Sequence, residues 1–118
     1  MRSKRAILIA ALCLLSMPAA MFGHHGLNKQ FDMKKTITLV GELTRIDWSN
    51  PHARLFMDVK DDRNAGTWEV DMGSPNLQML NGWKIDTYRP GAQLKVEIHP
   101  ARDESRLGYG KKVTALRK

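Results

Sequence analysis

The sequence predicts an all-β protein: a small five-stranded OB-fold-like barrel with one short helix between strands 3 and 4, preceded by a signal peptide. Three observations predict it. Apolar and polar residues alternate over runs of strand length. A bracketed helix of about two turns follows the third run. The order strand, strand, strand, short helix, strand, strand is that of the OB-fold, whose first-to-second and fourth-to-fifth loops flank the binding face.

Thr36 to Trp48 is the first strand. Ile37, Leu39 and Leu43 share one phase, while Ile46 and Trp48 share the other. A phase switch inside one strand needs a bulge, and the nearby Gly41 suits a sharp bend. Asn50-Pro51 makes a stiff corner, because proline fixes its own φ and drives the preceding residue out of the helical region. Ala53 to Lys60 is the second strand, with Leu55, Met57 and Val59 on one side and Arg54, Asp58 and Lys60 on the other. Phe56 breaks the polar side, which places it on a binding surface or under the N-terminal arm. The run Asp61 to Gly66 is a hairpin turn by composition, and Thr67 to Met72 resumes the alternation with Trp68, Val70 and Met72.

Ser74 is a good N-cap, Pro75 suits the first helical position and Gly82 suits the residue beyond the helix end. Leu77 and Leu80 share a face by i, i+3 spacing, with Trp83 expected to close over it. Arg89-Pro90-Gly91 has the residue order of a type II turn. Leu94, Val96 and Ile98 alternate with Lys95, Glu97 and His99 in the fourth strand. Gly108 to Leu116 is a looser fifth strand, with core contacts from Val113 and either Ala115 or Leu116.

Residues 1–23 read as an export signal. Arg2, Lys4 and Arg5 form a basic start, Ala6 to Met17 an apolar stretch, and Pro18 to Gly23 a region of small residues, with cleavage after Ala20 or after Gly23. The apolar stretch is shorter than the roughly twenty residues that a membrane span needs. Residues 24–35 read as an extended polar arm with Leu27 and Phe31 as docking points, and residues 36–118 as the barrel domain. Removing Arg2, Lys4 and Arg5 lowers the basic count from 19 to 16 against 12 acidic residues, so the net charge falls from +7 to +4. The single cysteine, Cys13, lies inside the signal and is preceded by Leu12 in a context unlike a lipobox. The processed chain therefore has no disulfide and no thiolate chemistry, and its stability must come from its core.

The expected ligand-binding residues are Trp48, Asn50, His52, Arg54 and Phe56: an aromatic ring, a stiff turn, an imidazole, a guanidinium and a second ring on the first-to-second loop and the strand after it. The expected metal set is His24, His25, His52 and His99, which are all the histidines of the chain. Imidazole suits copper, zinc and nickel. Cleavage after Gly23 would give His24 a free amine beside its ring, and a third nitrogen from His52 or His25 would complete a compact copper site. The plain alternatives are a polar start for His24-His25 and a core role for the tryptophans. No catalytic residue is expected: Ser74 sits in Gly-Ser-Pro and reads as a helix cap, and Asp47, Ser49 and His52 crowd one turn too closely for a triad.

The motifs Thr38-Leu39-Val40-Gly41, Asp47-Trp48-Ser49-Asn50-Pro51-His52, Gly73-Ser74-Pro75-Asn76, Gly82-Trp83 and Arg89-Pro90-Gly91, after His24-His25, resemble the small exported bacterial proteins grouped as domain of unknown function 6152. The resemblance covers His24 to about Thr114. It implies a periplasmic location and a small β-rich domain, and it supplies no activity. Where that family commonly has serine after the histidine pair, this chain has Gly26.

The reading is a periplasmic, non-enzymatic binding protein acting through Trp48–His52, with copper as a candidate cofactor. The alternative is an adaptor that docks a periplasmic protein through the same face. A small ligand or a periplasmic protein is the expected partner. Export argues against nucleic acid and confines membrane contact to the export step.

Overall fold

The computed structural model describes residues 26–117. The signal segment, both of its cleavage options and His24-His25 lie outside them. Five strands, β1 (Ile37–Asp47), β2 (Arg54–Val59), β3 (Gly66–Asp71), β4 (Gln93–Pro100) and β5 (Leu107–Arg117), with α1 (Pro75–Leu80) between β3 and β4, close a barrel in the order β1-β2-β3-β5-β4. All pairs are antiparallel except β3 with β5, which run parallel. The expected OB-type barrel is the fold. Among the described residues no helix is long and apolar enough to cross a membrane.

β1 is the long strand shared by two neighbours. Its first half pairs with β4 and its second half with β2, with Gly41 and Glu42 paired on both sides. The phase switch falls at Thr44, between Leu43 and Arg45, and not at Gly41. Thr44 is the extra residue of the bulge, and its hydroxyl donates to the Phe56 carbonyl at 3.1 Å, giving the disrupted ladder a substitute bond. Gly41 matters for another reason. A Cβ there would run into the Asp58 carbonyl, so the two backbones approach only because the side chain is missing.

The core is the inward phase of the strands. Leu39, Leu43, Leu55, Met57, Val59, Val70, Leu94, Val96 and Ile98 are all buried, with Trp68 and Met72 beside them. Trp68 is satisfied inside by donating its Nε1–H to the Asn64 carbonyl at 2.7 Å. On β5, Cβ atoms at Gly108 and Gly110 would overlap the side chains of Ile98 and Met72, so the glycine-rich start of that strand lets its neighbours pack against bare backbone. Val113 is the core contact of its second half, while Ala115 and Leu116 are both exposed. Arg89-Pro90-Gly91 turns as its composition requires: Gly91 has φ +97°, and the Ala92 N–H bonds the Arg89 carbonyl at 3.0 Å.

Two local expectations change. The Ser74 hydroxyl caps α1 through the Leu77 N–H at 3.2 Å, but the inward residues are Pro75 and Gln78, while Leu77 and Leu80 face outward. The reason is polar. The Gln78 side-chain amide donates to the Met72 carbonyl just past the end of β3, and that buried bond sets the rotation of a helix only six residues long. Trp83 does not cover leucines; it packs at a 59° tilt on Tyr88, 4.7 Å between ring centres, and both lie against the barrel core.

The second change concerns the arm. Residues 26–30 form a helical turn and not an extended strand. Phe31 follows, fully buried, bridged to Ala101 and 5.7 Å from the Tyr109 ring. The end of β4 and the loop after it grip this segment: the Arg102 N–H bonds the Gln30 carbonyl at 2.9 Å, Arg102 Nε bonds the Asn28 carbonyl at 2.7 Å, and the Asp32 N–H bonds the Pro100 carbonyl at 2.9 Å. Phe31→Ala should cost about 3–5 kcal/mol of unfolding free energy, the usual loss for a buried phenylalanine. Urea denaturation measures the loss, and hydrogen exchange should quicken at residues 26–35 before the strands respond.

Candidate functional site

The outward face of β1, β2 and β3 is laid out in rows by the register. Asp47 pairs with Arg54 and Arg54 with Asp71; Arg45 pairs with Phe56 and Phe56 with Glu69. Directly opposed residues of antiparallel strands share a face, so these six side chains form one surface. The guanidinium carbon of Arg45 sits 3.9 Å from the centre of the Phe56 ring, a cation–π stack on a half-buried aromatic. Arg54 Nη1 reaches Glu69 Oε1 at 3.2 Å on a mostly exposed patch, a pair that contributes little stability but fixes the Arg54 side chain.

The β1–β2 loop leads from this face to His52. Asn50–Pro51 is a cis peptide, and Asn50 and Pro51 are exposed at the tip. Trp48 is partly buried against the core. Ser49 Oγ donates to Asp47 Oδ1 at 2.8 Å, a bond that keeps the serine with Asp47 and away from His52. The His52 ring turns instead to β3: its Nδ1 is 2.8 Å from Asp71 Oδ2. A carboxylate accepts, so Nδ1 carries the proton and Nε2 is the lone-pair nitrogen of the neutral ring. The imidazole is 42% exposed and the Asp71 side chain 11%. An exposed ring is thus aimed by a buried acid.

Asp71 is satisfied on both oxygens, because its Oδ1 accepts the Gly73 N–H at 2.9 Å. The Ala53 N–H bonds the Gly73 carbonyl at 2.7 Å and the Met72 N–H bonds the Ala53 carbonyl at 2.9 Å, so the backbone on either side of the pair is tied. Tyr109 is the residue opposite Asp71 across the parallel β3–β5 pairing. Burial, and then the negative charge of Asp71, push the Tyr109 phenol above its ordinary value.

His99 lies near the end of β4. Its Nδ1 is 2.8 Å from the Lys35 carbonyl, which can only accept, so that nitrogen donates and pins the N-terminal segment to β4. Among the described residues no three of His, Cys, Asp or Glu come together in a group that could hold a metal ion. His24 and His25 are outside those residues, so the four-histidine set is not assembled within them. Of the five expected ligand residues, Arg54 and Phe56 share the outward face, and Trp48, Asn50 and His52 follow one another along the loop beside it. Sequence reasoning missed Arg45, Glu69, Asp71 and Tyr109. Asp71 and Glu69 carry a signal, since both lie in the polar phase of a strand that the hairpin turn pairs with β2. Tyr109 carries none, because a parallel pairing across 38 residues of chain leaves no local pattern.

This barrel, with a loop-borne imidazole beside its β1–β3 face, is an OB-fold domain. The chain belongs to the family of unknown function DUF6152, which it matches over residues 11–111. No curated protein matches it in sequence. Its fold is similar to crystal structures of the mitochondrial single-stranded DNA binding protein Rim1 from S. cerevisiae. Form 2 has 15% identity and a TM-score of 0.53, covering 71% of this chain and 95% of that one. Form 1 has 14% identity and a TM-score of 0.53, covering 71% and 94%. At such identity the likeness establishes the fold alone. It also corrects one expectation. The exclusion of nucleic acid, drawn from the export signal, does not stand, because this is a barrel on which single-stranded DNA binding proteins are built.

The raised Tyr109 phenol makes a prediction with a definite sign. The folded state keeps the proton to higher pH than the unfolded chain does, so stability is full below the ordinary tyrosine range near pH ~10 and falls as pH rises through it. Thermal unfolding across the alkaline range should show that fall, and Tyr109→Phe should flatten it while leaving neutral-pH stability within about 1 kcal/mol.

Proposed function

We propose that this protein is an exported, non-catalytic binding protein of the periplasm that engages its ligand through Trp48–His52 and the adjoining Arg54 and Phe56. The observation that carries the reading is the His52–Asp71 bond at 2.8 Å. A buried carboxylate that fixes the tautomer and direction of an exposed imidazole is the arrangement that prepares a histidine to coordinate or to accept a hydrogen bond. The basic start, apolar stretch and small residues of 1–23 support export. Copper is the metal that a single oriented imidazole would suit here, provided that further nitrogens come from His24 and His25.

A second reading is single-stranded nucleic acid, favoured by Phe56 under Arg45 with Arg54 in the next row. A ring and guanidinium planes on an OB face are the parts that stack bases and meet phosphates.

Calorimetric titration of the processed protein with copper, with zinc and with a thymidine oligonucleotide of about 15 nucleotides separates the readings. Under the first, copper binds, His52→Ala abolishes the binding, and Asp71→Asn weakens it about tenfold or more by releasing the ring. Metal binding unchanged in His52→Ala sinks the copper form of the proposal. Under the second, the oligonucleotide binds with a salt-dependent affinity, and Phe56→Ala costs about 1–3 kcal/mol while His52→Ala costs little.

A further inference from the structure

β5 is covered on one side only. It pairs with β4 from Gly108 to Arg117. On its other side β3 pairs with Leu107, Gly108 and Tyr109 and then ends at Asp71. From Gly110 to Arg117 no described strand completes that second side. This is an open strand edge of eight residues in a barrel whose other seams are closed. Open edges are normally shortened, bulged or covered, because their free N–H and C=O groups are a template for another strand.

Beside this stretch lies a groove. It has a volume of about 560 Å³ and is lined by the loop residues 86–92, Tyr88, Pro90 and Ala92 among them, and by Ala115 of β5. Tyr88, Ala92 and Val113 rest on the barrel core, so the floor is anchored by packing. Ala115 itself is exposed, and its small side chain leaves the space open. The charges near the edge are positive in balance: Lys111 and Lys112 on β5, with Lys84 and Arg89 on the loop before β4, against Asp86 on that loop and Glu97, the β4 residue paired with Lys112.

We propose that the open edge of β5, together with the groove beside Ala115, binds an extended segment of a partner protein as an added strand. Main-chain bonds along residues 110–117 hold the segment, and the groove takes one of its apolar side chains. The lysine and arginine side chains select for acidic residues in it. This surface is separate from the His52 loop, and its use does not depend on what that loop binds.

The probe is a fluorescently labelled peptide of alternating glutamate and valine, compared with a copy methylated at alternate backbone nitrogens and a copy with lysine in place of glutamate. The expected result is saturable binding of the first peptide, slowed amide exchange confined to residues 110–117, and binding weaker by about tenfold or more for the methylated and lysine copies. Ala115→Trp, at an exposed position, should weaken binding by a similar factor with the circular dichroism unchanged. Lys111→Glu with Lys112→Glu should reverse the preference between the glutamate and lysine peptides. No binding, equal binding of the methylated peptide, or protection outside β5 overturns the proposal. So does self-association that protects residues 110–117 without peptide, since the occupant would then be a second copy of this chain.

Discussion

Closure of the barrel rests on the parallel pairing of Glu69, Val70 and Asp71 with Leu107, Gly108 and Tyr109. It is the shortest seam of the fold, and both surfaces of interest follow from it. At the seam, Tyr109 is set across from Asp71 and against Phe31, which ties the N-terminal segment to the site. Beyond the seam, β5 runs on with β4 as its only partner among the described residues. A longer pairing would have covered that edge; no pairing would have left the barrel open and Asp71 in water.

Asp71 is costly to bury and well compensated. A carboxylate removed from water without partners is destabilising by several kcal/mol at least. Here one oxygen receives the His52 ring and the other the Gly73 N–H. The interaction couples a loop to a strand: the aim of His52 depends on β3, and the hydration of β3 depends on the loop staying closed over it. The nearby backbone bonds of Ala53 with Met72 and Gly73 reinforce the same junction, so the imidazole stands on a rigid support although it belongs to a connecting segment.

The N-terminal segment is part of this construction. Phe31 fills a fully buried position, Arg102 of the β4–β5 loop donates to the Asn28 and Gln30 carbonyls, and the Asp32 N–H donates to the Pro100 carbonyl at the end of β4. His99 adds a bond to Lys35 from the adjoining strand. One of the two loops that flank the binding face of an OB-fold is therefore occupied by the chain's own segment, which leaves the β1–β2 loop and the β1–β3 face as the accessible part of that region.

Strand number, strand order, the helix bracket and nearly all core residues could be read from the sequence, because alternation, capping and turn chemistry are local. The resemblance carried by Trp48–His52 and Gly73–Asn76 likewise led to the right family. The bulge position was not legible, since Thr44 is marked only by its bond to the Phe56 carbonyl on the next strand. The face of α1 was misread because two leucines at helical spacing outweigh one glutamine in any pattern, whereas the bond from the Gln78 amide to the Met72 carbonyl outweighs both leucines in the fold. His52 stood out as a residue on a stiff corner, but what it points at did not. The sequence by itself determined which residues form strands and which of them face inward, because period and turn chemistry act over a few residues. Only the tertiary structure decided that Asp71 orients His52, that His99 Nδ1 bonds the Lys35 carbonyl and that β5 beyond Tyr109 pairs with β4 alone among the described residues. Those outcomes depend on strands that meet through register and closure, over separations at which the sequence carries no repeating signal.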